Sequence, residues 1–255
     1  MSGTILNQVV TDGLILYVDA ANSSCYTDPN TTLKDLVSSE VGDLNTVVYD
    51  SNNYGSFSFD GVTSTNYISL SPTNPGRIPS LTLSTCSIET WVFPYATSIN
   101  CALFTSSIVS PNTAYYGFSL YLGTWSDGSF YVSCHTGNGL GAGSQHRRSL
   151  ETNTTPVTET QWNHIVATCS TDAFLTNIVM QIYVNGVLQS GTYSGTGFTL
   201  NWGEENGAKT FIGRKLNSDL PNIVGNISNT KMYNKVLSQA EVTQNYNALK
   251  KRFGL

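Results

Sequence analysis

Charge is scarce in this chain. Asp, Glu, Lys and Arg make up only 11% of its 255 residues, against roughly a quarter in ordinary soluble domains. The balance is slightly acidic, with 12 basic and 17 acidic side chains. No basic patch is visible, which excludes nucleic acid as an expected partner. Long apolar runs are also missing. The longest early one, Leu14 to Val18, is far short of a membrane span, so no membrane partner is expected. The first 18 residues hold no Lys or Arg, and on that ground no signal peptide is expected. Cysteine is sparse too. Cys25, Cys86, Cys101, Cys134 and Cys169 are odd in number, widely spaced and form no C-x-x-C. They read as free buried thiols of a reducing compartment. Cys134 and His135 cannot chelate one ion, because neighbours on a strand point to opposite faces.

What the chain does have is Asn, Ser and Thr, about a third of all residues. That excess favours turns and strands over helices, and 40% hydrophobic residues argue against disorder. Short alternating segments separated by Gly, Asn and Asp fill residues 13 to about 230. Asn185-Gly186 between apolar runs is a strong hairpin signal, and Asp127-Gly128 is a second. Asp60-Gly61 separates two further strands within 56–70. In 86–94, Ile88 and Val92 share one face while Glu89, Trp91 and Phe93 share the other. Apolar residues on both faces predict an interior strand covered on both sides. About a dozen strands are expected, as in a two-sheet sandwich. Residues 137–158 and 195–210 read as long loops.

One helix is expected, over 238–252. Ser238 to Glu241 forms a capping box, Leu237 and Val242 a hydrophobic staple, and Val242, Tyr246 and Leu249 a stripe that can dock on the sandwich. Lys250, Lys251 and Arg252 lie at the negative end of the helix dipole, with Gly254 as a stop.

Seven segments in order resemble the concanavalin A-like, laminin G-like jelly-roll superfamily. They are GLILYVDAAN at 13–22, FSFDG at 57–61, SIETWVFP at 87–94, WNHIVATCS at 162–170, IYVNGVLQSGT at 182–192, FIGR at 211–214, and the segment 225–255. The resemblance implies an all-β fold: a two-sheet antiparallel jelly-roll sandwich with a short C-terminal helix, one domain over 1–255. The opening GLILYVDAAN and the tail NYNALKKRFGL further resemble laminin G-like virion proteins of marine tailed bacteriophages. That narrower likeness implies a capsid decoration or tail fibre on the virion surface, made in the host cytoplasm. It also implies a homo-oligomer, a trimer by preference, in contact with other virion proteins. Large laminin G-like proteins often carry calcium at the sandwich rim. No ligand set here matches that site, so no cofactor is assigned.

Catalysis is not expected. Retaining glycosidases of this fold place two carboxylates two residues apart on a strand, and no acidic pair has that spacing here. Glu89 reads as a strand carboxylate bonded to its neighbours, His164 as a framework residue, and Trp91 and Trp162 as core. A host-glycan contact would use aromatic rings beside amides and hydroxyls. Tyr115, Tyr116, Trp125 and Trp202, all close to loops, are its candidates. His146, Arg147 and Arg148 are candidates for contact with a neighbouring subunit or an anionic glycan.

Overall fold

The computed structural model of the chain describes residues 8–255, except 39, 53, 62–64, 71–84, 96–100, 108–115, 124–128, 139–144, 146, 172–177, 197–208 and 215–222. Among the described residues, two antiparallel sheets face each other across one core, as the resemblance implies. The eight-stranded sheet runs in the order β14 (Val187–Leu188), β13 (Ile178–Val184), β12 (Asn163–Thr171), β7 (Thr85–Pro94), β17 (Val224–Tyr233), β5 (Ser56–Asp60) and β4 (Val48–Asp50), with β1 (Leu14–Asp19) also paired to β17. The nine-stranded sheet runs β15 (Gly191–Ser194), β11 (Arg147–Thr152), β10 (Val132–Asn138), β9 (Tyr116–Leu122), β8 (Cys101–Ser107), β16 (Lys209–Ile212), β6 (Ile68–Leu70), β3 (Val41–Asp43) and β2 (Thr32–Lys34).

The alternation of the sequence decides which side chains meet between the sheets. Phe57, Ile88, Val92 and Ile165 come from one sheet, and Phe104, Phe118, Leu120, Cys134 and Leu150 from the other; all are buried in one cluster. All five thiols are buried and unpaired. Asn185 and Gly186 take φ of 52° and 81° and close the β13–β14 hairpin as expected. Asp60 and Gly61 close no hairpin. β5 and β6 lie in different sheets, so this turn carries the chain across the sandwich. Strands β9 and β10 do pair, while the Asp127-Gly128 turn lies outside the described residues. The expected loop over 137–158 is corrected. β10 extends to Asn138 and β11 occupies Arg147–Thr152, because the Arg147–Leu150 stretch finds ladder partners on β10.

The C-terminal helix α1 (Gln239–Leu249) carries the expected capping box of Ser238 and Glu241. It tightens into a 3₁₀ turn over Lys250–Phe253 and stops at Gly254, with φ 74°. The helix lies on the outer face of the eight-stranded sheet. Leu237 and Val242 are buried there against Val166, Tyr183 and Tyr233. Phe253, absent from the expected stripe, inserts its ring 4.3 Å from Trp91 and 4.5 Å from Trp162.

Beneath the helix lies a connected set of polar groups. Glu89 and Lys231 are wholly buried and pair at 2.7 Å. Asn245, on the buried side of α1, donates to Glu89 Oε2 and to Tyr233 Oη, and accepts from the Val10 N–H. His164 Nε2 stands 3.3 Å from Glu89 Oε1. Burial alone would raise the Glu89 carboxyl, but the Lys231 ammonium and the His164 ring outweigh it and hold it down to about 2. At the helix end, Arg252 donates to both oxygens of Asp19, to the Tyr54 and Gly55 carbonyls and to Ser228 Oγ. Glu89 and Asp19 thus each face an opposite charge, the condition under which a buried charge survives removal from water.

Candidate binding groove

The opposite outer face, on the nine-stranded sheet, is also polar, and no helix among the described residues covers it. Its construction follows from the ladder. On β10, Cys134 faces the core, so Ser133 and His135 face outward. On β11, Leu150 is in the core, so Arg147, Ser149 and Glu151 face outward. On β15, Thr192 and Ser194 share that face. The register brings these into rows across the strands. Thr192, Glu151, Ser133 and Tyr121 form one row, and Ser194, Ser149, His135 and Ser119 the next. Arg147, Gly137 and Gly117 form the third.

Seven of these residues line one hollow of about 200 Å³: Ser133, His135, Arg147, Ser149, Glu151, Thr192 and Ser194. Its floor is sunk, since Ser133, Ser149 and neighbouring Ser119 are buried although they point away from the core. The hydroxyls of Ser149 and Ser194 lie 2.6 Å apart, and Thr192 donates to Asn153 Oδ1 at 2.7 Å. The rings of His135 and Tyr121 are 4.7 Å apart. Gly191 lets β15 approach closely, because a Cβ there would meet the Glu151 carbonyl at 2.7 Å and a Leu150 methyl at 2.8 Å.

This lining has a defined chemistry. Each hydroxyl both donates and accepts, Glu151 accepts at two oxygens, and Arg147 donates from a planar fork. Such a surface matches a ligand with many hydroxyls. Among the described residues, Glu151 is the one carboxylate lining the hollow. The other acid singled out in the sequence, Glu89, is sealed under the helix and bonded to its neighbours. No three described His, Cys, Asp or Glu side chains form a metal-binding group.

The residues singled out beforehand fare unequally. Tyr115, Trp125, Trp202 and His146 lie outside the described residues, and Tyr116 is described only through its backbone in β9. Arg147 and Arg148 do not act as a pair. Consecutive strand residues leave on opposite faces, so Arg147 lines the hollow while Arg148 lies 4.5 Å over the Tyr193 ring and donates to the Gly195 carbonyl. Tyr193 in turn clasps the two sheets, its hydroxyl exchanging hydrogen bonds with the Met180 backbone. His164 and Trp91 are buried in the framework, as expected, and so is Trp162. Sequence reasoning missed Ser133, His135, Ser149, Glu151, Thr192 and Ser194 as a site. Its one available signal was polar–apolar alternation at 133–135 and 149–151, which marks outward residues but not which strands meet.

Comparison with known proteins adds three findings. A family model described as "Laminin_G_3: Concanavalin A-like lectin/glucanases superfamily" matches residues 60–243. Among solved structures, the chain is similar to domain 4 of AbnA, a GH43 extracellular arabinanase from Geobacillus stearothermophilus, in complex with arabinotriose. The TM-score is 0.57 at 16% identity, covering 91% of this chain and 98% of that one. It is also similar to the binding domain of botulinum neurotoxin DC in complex with rat synaptotagmin II, with TM-score 0.61, 13% identity and 96% of this chain covered. A third similar structure, at TM-score 0.60, 16% identity and 96% coverage of this chain, is of botulinum neurotoxin type C, whose cell entry is dependent upon interaction with two ganglioside molecules. The chain spans about half of each neurotoxin chain, 52% in both cases. At these identities the likeness concerns the fold. A comparison with curated protein sequences gave no match.

Proposed function

The chain belongs to the concanavalin A-like lectin/glucanases superfamily, and from that premise we propose that it is a non-enzymatic carbohydrate-binding protein. Its sugar lies in the hollow on the nine-stranded sheet. The observation that carries this reading is the floor of hydroxyls from Ser133, Ser149 and Ser194, flanked by His135, Arg147 and Glu151 on three adjacent strands. Two similar structures support it through their ligands, arabinotriose for one and gangliosides for the other. A glycan-degrading role is disfavoured because Glu151 is the one carboxylate among the described residues that line the hollow, whereas glycoside hydrolysis canonically uses two.

The setting we propose is the surface of a tailed-bacteriophage particle, as a capsid decoration or tail fibre in trimeric form. This rests on the sequence likeness of 13–22 and of the C-terminal tail to virion proteins. On such a particle a sugar-binding face would serve adhesion to host glycans.

The test of the binding reading is a glycan array probed with the purified chain and with a variant carrying Ser149→Ala and Glu151→Gln. Retention of selected glycans by the parent chain and loss by the variant is the expected result. Equal binding by both would move the site elsewhere. Release of reducing ends from a bound polysaccharide would reinstate catalysis. Mass spectrometry of purified particles and light scattering of the free chain test the setting and the trimer.

A further inference from the structure

We infer that Cys86 and Cys169 form a covalent modification site built into the fold: the two thiols join as a disulfide across β7 and β12 when the chain folds in the presence of a disulfide oxidant. This inference stands apart from the carbohydrate-binding reading. Its basis is the register. In the β7–β12 ladder, Cys86 stands directly opposite Cys169. Facing residues of an antiparallel pair have Cα atoms about 4.5 or 5.5 Å apart, depending on the hydrogen-bonding site. A disulfide spans about 4.4–6.8 Å, so either site admits the bond without moving the backbone. Both side chains point into the core, in one cluster with Ile88 and Ala167 of the same two strands. The two thiols are hydrogen-bonded to each other.

The other cysteines are not so placed. Cys101 faces Leu122, and Cys134 stands between Leu150 and Leu120. Cys25 lies outside the strands, where its sulfur accepts from the Asp19 N–H. Cys134 does approach the pair. Its thiol donates to Met180 Sδ at 3.6 Å, and Met180 is the β13 neighbour of Cys169. Cys134 belongs to the opposite sheet, however, and packed sheets lie about 10 Å apart. That exceeds the roughly 7 Å beyond which a disulfide needs backbone movement.

The core that aligns the pair also guards it. Both residues are wholly buried, and burial pushes the Cys86 thiol well above its ordinary range. The attacking species in disulfide exchange is the thiolate, so the folded, reduced chain reacts slowly. Closure belongs to the folding chain, while the thiols still meet solvent. One protein thiolate attacks glutathione disulfide and expels one glutathione; the second attacks the mixed disulfide and expels the other. Two protein thiols are oxidised, one glutathione disulfide is reduced, and the two thiol protons leave on the glutathiones. The bond ties together the strands that carry Glu89 and His164 beneath the helix, and it closes a long loop of the unfolded chain, which favours the folded state.

The experiment uses the full chain, unfolded in urea and refolded by dilution into excess glutathione disulfide or into dithiothreitol. Free thiols are trapped with N-ethylmaleimide, counted by intact mass and mapped by peptide digestion. All five cysteines should be trapped after refolding in dithiothreitol. The glutathione sample should lose two of them to one cross-linked peptide that joins Cys86 to Cys169. The closed form should melt roughly 5–15 °C above the reduced form. Cys134→Ser should lose the same two thiols, whereas Cys86→Ser should lose none. A further sample of the parent, never unfolded in urea but held near its melting temperature in the glutathione buffer, reads the same bond independently of refolding yield. A full set of free thiols in both glutathione samples, or a bond between any other pair, overturns the inference. So does a closed form that melts below the reduced one, since the pair would then be strained rather than aligned.

Discussion

Under the C-terminal helix, Glu89 and Lys231 are wholly buried and meet at 2.7 Å; across the sandwich, Arg147 and Glu151 stand at opposite ends of an open hollow. Both sets project from the outer face of a sheet, and both are rare charges in a chain with few. On the eight-stranded sheet, Asn245 donates to Glu89 and Tyr233, and Arg252 to Asp19, so the C-terminal segment is bonded to the polar groups it covers. That region spends its polarity on holding one conformation. On the nine-stranded sheet the residues lining the hollow are mostly hydroxyl-bearing, and a hydroxyl that bonds a neighbour, as Ser149 and Ser194 do at 2.6 Å, keeps capacity to donate or accept elsewhere. The contrast separates a structural use of polar groups from a recognition use, and it makes each face breakable on its own.

The harshest break is removal of residues 238–255. It uncovers Trp91 and Trp162 together with the seat of Val242, all buried in the intact chain. It also strips Asn245 from Glu89. Lost burial of three such side chains alone costs several kcal/mol, about 5, and the truncated chain is expected to aggregate or to melt far below the parent. Unchanged solubility and melting temperature would show that the helix is an ornament. Next in size is Lys231→Met, which leaves the Glu89 carboxylate buried without its counter-charge and should cost about 3–5 kcal/mol by urea denaturation. The double variant Lys231→Met with Glu89→Leu should recover a large part of that loss, because an apolar pair needs no solvation. A double variant as unstable as the single one would assign the loss to packing rather than to charge.

Acid offers a gentler test of the same face. The folded state holds the Glu89 carboxyl down to about 2, from an ordinary value of 4.5. A depressed carboxyl contributes its full stability above the unfolded value and loses it as pH falls toward the folded one. Stability of the parent should therefore decline between about pH 4.5 and pH 2. Glu89→Gln should flatten that part of the curve, read as unfolding free energy against pH. Identical acid slopes in both proteins would remove Glu89 from the linkage.

The helix was legible in the sequence because its signals are local. Ser238 and Glu241 lie three residues apart, and Gly254 stops the chain by its own backbone freedom. The interior strand at 86–94 was legible for the same reason: its alternation shows two apolar faces without reference to any other segment. Asn245 and Phe253 were not, because their partners Glu89, Trp91 and Trp162 come from strands far away in the chain. The hollow was less legible still. Its residues come from 133–135, 147–151 and 192–194, and only the β10–β11–β15 register brings them together. Arg147 and Arg148 looked like a pair because adjacency in sequence is visible, whereas the β11 strand that turns them to opposite faces rests on pairing with β10. The 137–158 loop was misread on the same account, since Gly and Ser content signals a turn more strongly than a paired strand signals itself.

The smallest expected effect on folding is also the one that best sharpens the contrast. Arg147→Gln and Ser149→Ala change the hollow without touching the core, and polar substitutions outside a core usually move stability within about 0.5 kcal/mol. Ser149 is the more demanding case, because its hydroxyl is buried and lies 2.6 Å from that of Ser194. Its loss leaves Ser194 exposed to water, which can replace the bond, so a cost near 1 kcal/mol is the upper expectation. Both variants should thus melt close to the parent while their glycan retention falls, whereas Lys231→Met should show the reverse, a large drop in melting temperature with retention intact wherever the protein is still folded. The measurement is paired: thermal unfolding and glycan-column retention on the same three proteins. If the hollow variants destabilised the chain as much as Lys231→Met does, the polar floor would be part of the scaffold, and the division of labour between the two faces would fall.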